Sequence, residues 1–249
     1  MGIIIRILTA ILLSSACVFA SAENITLSSF SGAKKKLEKH VYLSDSERVT
    51  LYCEAAFDEH KNITLPAGFV TTKHKKRASR VEWEHVVPAE NFGRHFPEWR
   101  EGHAQCVNSK GKAYKGRRCA NKMNNDYKLM QADMYNLYPA IGAVNARRSN
   151  YNFAMLGNVE NSFGRCAMKV SEKKVEPPAE SRGTIARAYL YMDKAYSRYS
   201  MSRQQKQLMN AWHRTYPVEQ WECQRAKRIQ NIQGNENMIL KQSCQAAGF

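Results

Sequence analysis

The segment Glu82-Trp83-Glu84-His85 is the densest group of residues that could do chemistry. Glu84 offers the oxygen ligand that a hard divalent cation requires. A neutral histidine such as His85 accepts a proton from water near neutral pH. The pairing therefore favours activation of a water molecule beside a metal ion. The alternative, from residue types alone, is that His85 is an ordinary half-buried strand histidine paired with a carboxylate.

A strand must position this group, because the residue pattern over positions 81–87 alternates as a strand does. Pro88 ends the strand, since proline cannot donate to a ladder and keeps its predecessor extended. Neighbouring residues of an ideal strand face opposite sides. We therefore expect the backbone to leave regular strand geometry at Glu84 and His85 if both side chains serve one site.

Helical spacing predicts most of the other elements. Helices are expected over residues 31–40, 125–137, 140–148, 184–199 and 218–234, and another should start at Ser202, where Gln205 completes a capping box. Pro139 should break the helix over 125–137 or start the next turn. The Gly- and Lys-rich residues 106–119 should form a loop. Pro177 is the only candidate boundary, and one helix-rich α+β domain is favoured.

The first 22 residues have the layout of a secretory signal peptide: Arg6, an apolar run over 7–19, and the small-residue cleavage site Ala20-Ser21-Ala22. The alternative is a membrane anchor, but the apolar run is shorter than the ~20 residues that a spanning helix needs. We expect residues 1–22 to be removed. The mature chain, 23–249, should then be periplasmic or secreted and not inserted in a membrane.

The cysteines support export. Cys17 leaves with the signal peptide, and the remaining six, an even set in an oxidising compartment, predict three disulfides. Cys106–Cys119 would close a short basic loop, and Cys53–Cys166 with Cys223–Cys244 would complete the set, among the fifteen or so pairings that six cysteines allow. The alternative is a zinc site formed by Cys106 with His95 and His103, but no C-x-x-C spacing supports it.

The composition favours a polyanionic partner. Lys and Arg number 38 against 22 Asp and Glu, so the formal net charge is +16, and it is +15 without Arg6. A basic surface attracts and retains phosphates. The basic residues within 68–80 are either a solvated loop or a phosphate contact. A hydrophobic content of 43% excludes a disordered chain.

The segment Arg77-Ala78-Ser79-Arg80-Val81-Glu82-Trp83-Glu84-His85-Val86-Val87-Pro88-Ala89 resembles the bacterial endonuclease I family, periplasmic or secreted nucleases of the ββα-metal (His-Me finger) class. Further matches, in order, are Pro139-Ala140-Ile141-Gly142-Ala143-Val144-Asn145, Gly164-Arg165-Cys166-Ala167-Met168, Pro177-Pro178, Arg182-Gly183-Thr184-Ile185-Ala186-Arg187, Ala211-Trp212, Tyr216-Pro217-Val218, Trp221-Glu222-Cys223 and Ile232-Gln233-Gly234-Asn235. Several specific motifs in the right order make a strong signal.

The resemblance implies one disulfide-stabilised domain over residues 23–249, with a ββα-metal core. Glu84 and Asn145 match the family's ligands for one Mg²⁺, His85 matches the general base, and Arg117 matches the arginine that contacts the phosphate near the scissile bond. The implied activity is Mg²⁺-dependent, sequence-nonspecific cleavage of DNA, and also of RNA, to 5′-phosphate products. We expect a monomer that binds nucleic acid through its phosphate backbone.

This chain departs from the family at four positions on or beside the helix that carries Asn145. Gln131, Tyr135, Ala143 and Arg147 stand where members usually have Glu, His, Glu and Asp. Three lost acids weaken the negative field at the metal, so we expect lower Mg²⁺ affinity. They also support the alternative of a non-catalytic exported DNA-binding protein. A third reading is a basic protein that binds surface polysaccharides.

Overall fold

The computed structural model describes residues 23–249, so the expected signal peptide, residues 1–22, lies outside the described residues. The helices of this part are α1 (Phe30–His40), α2 (Ala89–Gly93), α3 (Pro97–Arg100), α4 (Arg117–Met123), α5 (Asn125–Ala132), α6 (Gly142–Arg148), α7 (Ala179–Ala195), α8 (Arg203–Thr215), α9 (Gln220–Gln233) and α10 (Met238–Ala246). The strands are β1 (Ala56–Phe57), β2 (Ile63–Thr64), β3 (Val81–His85), β4 (Leu137–Ile141), β5 (Asn152–Phe153), β6 (Lys169–Ser171) and β7 (Lys174–Glu176).

The centre of the fold is an antiparallel ribbon of β3 and β4 followed directly by α6. The ladder is in register from Val81 opposite Ile141 to His85 opposite Leu137. Helix α6 begins at the next residue, Gly142, and packs against both strands. The other regular elements of the described chain are helices, apart from the β1–β2 pair and a small sheet in the order β5-β7-β6. This is the α+β, helix-rich fold that the sequence predicts.

The strand geometry differs from the prediction. The expected departure from regular strand geometry at Glu84 and His85 does not occur, because both residues stay paired in the ladder, with Tyr138 and Leu137. Side chains therefore alternate normally: Trp83 bonds to Glu38 of α1 on one face, and Glu84 contacts α6 on the other. The observed strand β3 ends at His85, two residues earlier than the sequence pattern predicts.

The prediction of a helix over residues 125–137 with Pro139 as its breaker is wrong at its end. Helix α5 stops at Ala132, because Asp133 is extended and its side chain accepts a hydrogen bond from the Tyr135 backbone N–H over 3.0 Å. Leu137 already belongs to β4, and Pro139 lies inside that strand opposite Trp83. A two-stranded ribbon has only edge strands, where a missing N–H donor is tolerated.

Other boundaries shift by a few residues. Helix α7 starts five residues before the predicted position 184, α6 starts at 142 rather than 140, and the loop before α4 ends at Gly116. The Ser202 cap is confirmed, since its side chain accepts from the Gln205 backbone N–H over 3.2 Å. Pro177 is not a boundary, because core residues on both sides of it share one buried cluster. None of the helices described for residues 23–249 is long and apolar enough to cross a membrane.

All three predicted disulfides are present. The Cα–Cα distances are 5.1 Å for Cys53–Cys166, 5.6 Å for Cys106–Cys119 and 5.8 Å for Cys223–Cys244. The zinc alternative at Cys106 is therefore wrong, because its sulfur is bonded to another sulfur. No cluster of three or more His, Cys, Asp or Glu suited to a metal occurs within residues 23–249.

Candidate active site

Four predicted site residues border one cavity of about 320 Å³: Glu84, His85, Arg117 and Asn145. The two strand residues come from the end of β3, where both border the cavity although they alternate along a regular ladder. Asn145 comes from the middle of α6, and Arg117 from the first turn of α4. We call this space the active-site cavity. Its wall is completed mainly by Phe30, Trp99, Arg148 and residues 88–90. The ribbon and the two helices therefore bring together residues that lie up to 61 positions apart in the sequence.

The imidazole of His85 is oriented by the backbone. Its Nε2 lies 2.8 Å from the carbonyl oxygen of Gln131, which can only accept, so Nε2 carries the proton and Nδ1 is left as the free acceptor. The Phe30 ring lies beside the imidazole, with centroids 4.7 Å apart. Burial, together with the charges of Arg117 and Arg148, lowers the pKa of His85 to about 3. The imidazole is therefore neutral, and the lone pair of Nδ1 is unprotonated.

Glu84 is a buried carboxylate, only 3% exposed. Its Oε1 accepts from the Tyr52 hydroxyl over 3.0 Å and lies 2.8 Å from Nη1 of Arg148. Burial raises the pKa of Glu84 to about 7 against the opposing effects of Arg148 and Tyr52. A nearby cation favours the ionised form. Both contacts use Oε1, and Oε2 has no hydrogen-bond partner among residues 23–249.

Asn145 stands half-buried on α6. Its Nδ2 donates to Oε2 of Glu82 over 3.1 Å, which leaves Oδ1 as the unbonded end of the amide. Although burial by itself raises it, hydrogen bonds from Arg77 and Asn145 hold the pKa of Glu82 below its usual value. Glu84 Oε2 and Asn145 Oδ1 are thus two oxygen donors at one cavity. Two protein oxygens suit Mg²⁺, which usually keeps several of its waters.

Arg117 begins α4 immediately after Gly116, whose φ of 75° places it in a region that favours glycine. Its guanidinium carbon lies 5.3 Å from the centre of the Phe30 ring. Phe30 and Arg117 also border a second cavity of about 500 Å³. Arg118 and Lys128 line this second cavity, so it carries cationic groups beside the active-site cavity.

Three residues at the site have no part in the sequence prediction: Phe30, Tyr52 and Arg148. Phe30 contacts His85 and Arg117, while Tyr52 and Arg148 contact Glu84. Arg148 follows Asn145 by three positions, a spacing that puts both on one face of a helix and so could have revealed it. Phe30 and Tyr52 come from distant segments, and no local pattern marks them.

The four departures from the family pattern do not border the active-site cavity described here. Gln131 contributes its backbone carbonyl to His85 whatever its side chain is. The Tyr135 hydroxyl donates towards the carbonyl oxygens of Asn235 and Ala226, at 3.2 and 3.3 Å. Ala143 is fully buried and Arg147 is half-buried, both on α6. The departures therefore leave the Glu84, His85 and Asn145 arrangement intact.

One strand of the antiparallel ribbon ends in a carboxylate and a histidine, and the helix that follows the ribbon carries an asparagine. This arrangement is that of the ββα-metal nucleases. Comparison with known proteins narrows the class. Residues 21–244 match the sequence profile of the Endonuclease I family. The chain belongs to this family and is an endonuclease.

Three relatives are similar over most of their length. An extracellular deoxyribonuclease of Aeromonas hydrophila is 39% identical over 91% of this chain and 93% of its own. A periplasmic deoxyribonuclease of the same species is 39% identical over 87% and 86%, respectively. Endonuclease-1 of Buchnera aphidicola (subsp. Acyrthosiphon pisum) is 38% identical over 77% and 72%. Endonucleases of this family are in general metal-dependent.

Proposed function

We propose that this protein is a Mg²⁺-dependent endonuclease that hydrolyses DNA, and also RNA, without sequence preference and leaves 5′-phosphates. The observation that carries the proposal is the meeting of His85, Glu84, Asn145 and Arg117 at one cavity. Relatives named deoxyribonucleases support DNA as the substrate. The protein is periplasmic or secreted, as relatives named for both places indicate.

His85 acts as the general base. Its Nε2–H is committed to the Gln131 carbonyl, so Nδ1 takes the proton from the attacking water. The bond to a backbone carbonyl fixes the tautomer and the orientation of the ring without depending on the side chain at position 131. The low pKa of His85 keeps the imidazole neutral before the reaction.

Glu84 and Asn145 would hold the cation, because Oε2 of Glu84 and Oδ1 of Asn145 are the oxygens that their hydrogen bonds leave free. When bound, Mg²⁺ neutralises charge on the phosphate and stabilises the leaving 3′ oxygen as a Lewis acid. Arg117 adds a planar cation at the same cavity and can bind two phosphate oxygens at once. These roles together cover the activated water, the phosphate charge and the leaving oxygen that phosphodiester hydrolysis requires.

Digestion of supercoiled plasmid tests the proposal. Wild-type protein should cut with Mg²⁺ and stop with EDTA. His85→Ala should cut about 10²–10⁴-fold more slowly, because that is what a general base typically contributes. Its DNA affinity should stay close to that of the wild type, since the neutral imidazole carries no charge that could bind the phosphate backbone of DNA. Wild-type cleavage by His85→Ala contradicts the assigned mechanism.

Two further results bear on the alternatives. Tight DNA binding without any cleavage by wild-type protein, at any divalent-ion concentration, supports the non-catalytic DNA-binding protein instead. Absence of both cleavage and DNA binding supports the polysaccharide-binding reading. End-labelling of products, with and without prior phosphatase treatment, checks for the 5′-phosphate, and the same digestion on single-stranded RNA checks the second substrate.

A further inference from the structure

Glu82 contacts the proposed metal site but has no role in the chemistry above. It precedes Glu84 by two positions in β3, so both carboxylates face α6. Its Oε2 lies 3.1 Å from Nδ2 of Asn145. A carboxylate accepts hydrogen bonds and donates none, so the end of the amide that faces Glu82 must be the nitrogen. The oxygen of the Asn145 amide, Oδ1, therefore takes no part in the contact with Glu82.

Glu82 is itself held in place by Arg77. Nε of Arg77 donates to Oε1 over 2.8 Å, and its Nη2 donates to Oε2. This two-point contact fixes the plane of the carboxylate as well as its position. Arg80 lies farther off, with its nitrogen 3.5 Å from Oε1. Arg77, Glu82 and Asn145 thus form a chain of contacts from the basic residues within 68–80 to the proposed metal site.

Gly142 allows α6 to come this close. A Cβ atom at this position would lie 2.5 Å from the carbonyl oxygen of Arg77 and 2.9 Å from Oε1 of Glu82. The first distance is to backbone, which cannot move aside as a flexible side chain can. Any larger residue at 142 would therefore push the start of α6 away from Glu82. The glycine preserves the contact between Glu82 and Asn145, three residues farther along α6.

We propose that Glu82 is a positioning residue that selects the orientation of the Asn145 amide, so that oxygen and not nitrogen is available to the metal ion. An amide side chain has two ends of nearly equal shape, and only the oxygen can bind a cation. Without Glu82 either end can face the cavity. The role rests on the proposed function, because it requires Asn145 to be a metal ligand.

The substitution Glu82→Gln gives this role a distinctive signature. The glutamine oxygen should turn to Arg77, which offers only donors, so its NH₂ group should turn to Asn145. Asn145 would then meet a donor and should present Oδ1 to position 82, which leaves Nδ2 for the metal. Glu82→Gln should therefore weaken metal binding at least as much as Glu82→Ala, although glutamine is closer to glutamate in size and shape.

The experiment measures Mn²⁺ affinity by electron paramagnetic resonance in the absence of DNA, on folded protein with its disulfides intact. Glu82→Gln should raise the Kd for Mn²⁺ about 10–100-fold, which is the usual loss when a group that orients a ligand is removed. Glu82→Ala should raise it by the same factor or less, and Gly142→Ala should raise it too. In plasmid digestion, added Mg²⁺ should restore much of the rate of Glu82→Ala.

Glu47→Gln is the matched control. Glu47 also receives two hydrogen bonds from one arginine, Arg228, at 2.9 Å each, and its side chain is 15% exposed against 19% for Glu82. Glu47→Gln should leave Mn²⁺ affinity unchanged. Thermal unfolding of each metal-free variant checks that it is folded at the assay temperature. If the Glu82 variants that are folded there bind Mn²⁺ as the wild type does, the positioning role is wrong.

Asn145→Ala separates this inference from the proposed function. If Asn145→Ala weakens Mn²⁺ binding while Glu82→Gln, Glu82→Ala and Gly142→Ala bind as wild type does, the positioning role is wrong and the metal site stands. If Asn145→Ala binds Mn²⁺ like the wild type, Asn145 is not a ligand and both conclusions fail. A Glu82→Gln variant that binds markedly better than Glu82→Ala also contradicts the role.

Discussion

The contact between Arg148 and Glu84 ties the stability of the fold to its active site. The two side chains are 1% and 3% exposed, and Nη1 of Arg148 lies 2.8 Å from the carboxylate. The same guanidinium donates to the backbone carbonyls of His85 and Val86, over 2.9 and 2.6 Å. One arginine of α6 thus anchors the end of β3, where the carboxylate and the histidine must stay next to each other.

Arg148→Met should destabilise the protein strongly. Removal of one partner of a buried ion pair leaves the other charge unpaired, which typically costs about 3–5 kcal/mol. Urea unfolding followed by circular dichroism measures the loss. Lys241→Met is the comparison, because Lys241 is 43% exposed in its pair with Glu236, and an exposed pair contributes at most about 1 kcal/mol. Equal unfolding midpoints for the two variants would contradict the anchoring role of Arg148.

At the scale of elements, sequence patterns predicted those helices and strands whose bounds depend on residues close together in the chain. The strand over 81–85, the cap at Ser202 and the helices around them follow from residue periodicity and capping. The end of α5 does not, because Asp133 is fully buried and accepts from the hydroxyls of Tyr191 and Tyr196 over 2.6 Å each. Those partners lie 58 and 63 positions away, so no window of sequence around Asp133 contains them.

Two of the disulfides should differ in their effects: Cys53–Cys166 should matter more for stability, and Cys106–Cys119 more for activity. Cys53–Cys166 spans 113 positions and Cys106–Cys119 spans 13. In the chain-entropy model, a loop of about 100 residues is worth about 4.7 kcal/mol and one of about 15 residues about 3 kcal/mol. Replacing both cysteines of the long loop by alanine should therefore lower the urea midpoint more. Replacing Cys106 and Cys119 should slow cleavage more, because α4 carries Cys119 two positions after Arg117.

The two double variants are measured side by side, by urea unfolding and by plasmid digestion at a temperature where both are folded. Cys223–Cys244, which spans 21 positions and joins α9 to α10, serves as the reference. Its removal should resemble the short loop in stability and should spare the cleavage rate of folded protein. If the Cys106 and Cys119 variant cleaves at the rate of this reference, the disulfide does not position Arg117.

At the scale of the whole molecule, the site itself could be predicted only in part. Glu84, His85 and Asn145 lie in motifs that can be read along the chain, and Arg117 precedes a cysteine in a recognisable step. Phe30 at the start of α1 reaches the same cavity only through tertiary packing. The net charge can also be read directly from the sequence, and we expect it to govern how the substrate is captured before these residues act.

Substrate capture should be mainly electrostatic and indifferent to sequence. The net charge of +16, or +15 without Arg6, gives a field that attracts phosphates, and the second cavity adds Arg118 and Lys128 beside the active-site cavity. On duplex DNA each neutralised phosphate contributes about −0.9 to the slope of log K against log salt concentration. A footprint of several phosphates should therefore lose orders of magnitude in affinity between low and moderately high salt.

Fluorescence anisotropy with His85→Ala measures this slope without digestion, on several unrelated duplexes across a salt series. In that background Arg118→Ala and Lys128→Ala should each make the slope shallower, by about 0.9 for every phosphate that the wild-type side chain neutralises. Lys241→Ala, which borders neither cavity, should change it less although it removes the same charge. Equal changes for all three would mean that net charge alone attracts the nucleic acid. A strong preference for one duplex would mean that base edges are read, contrary to backbone binding.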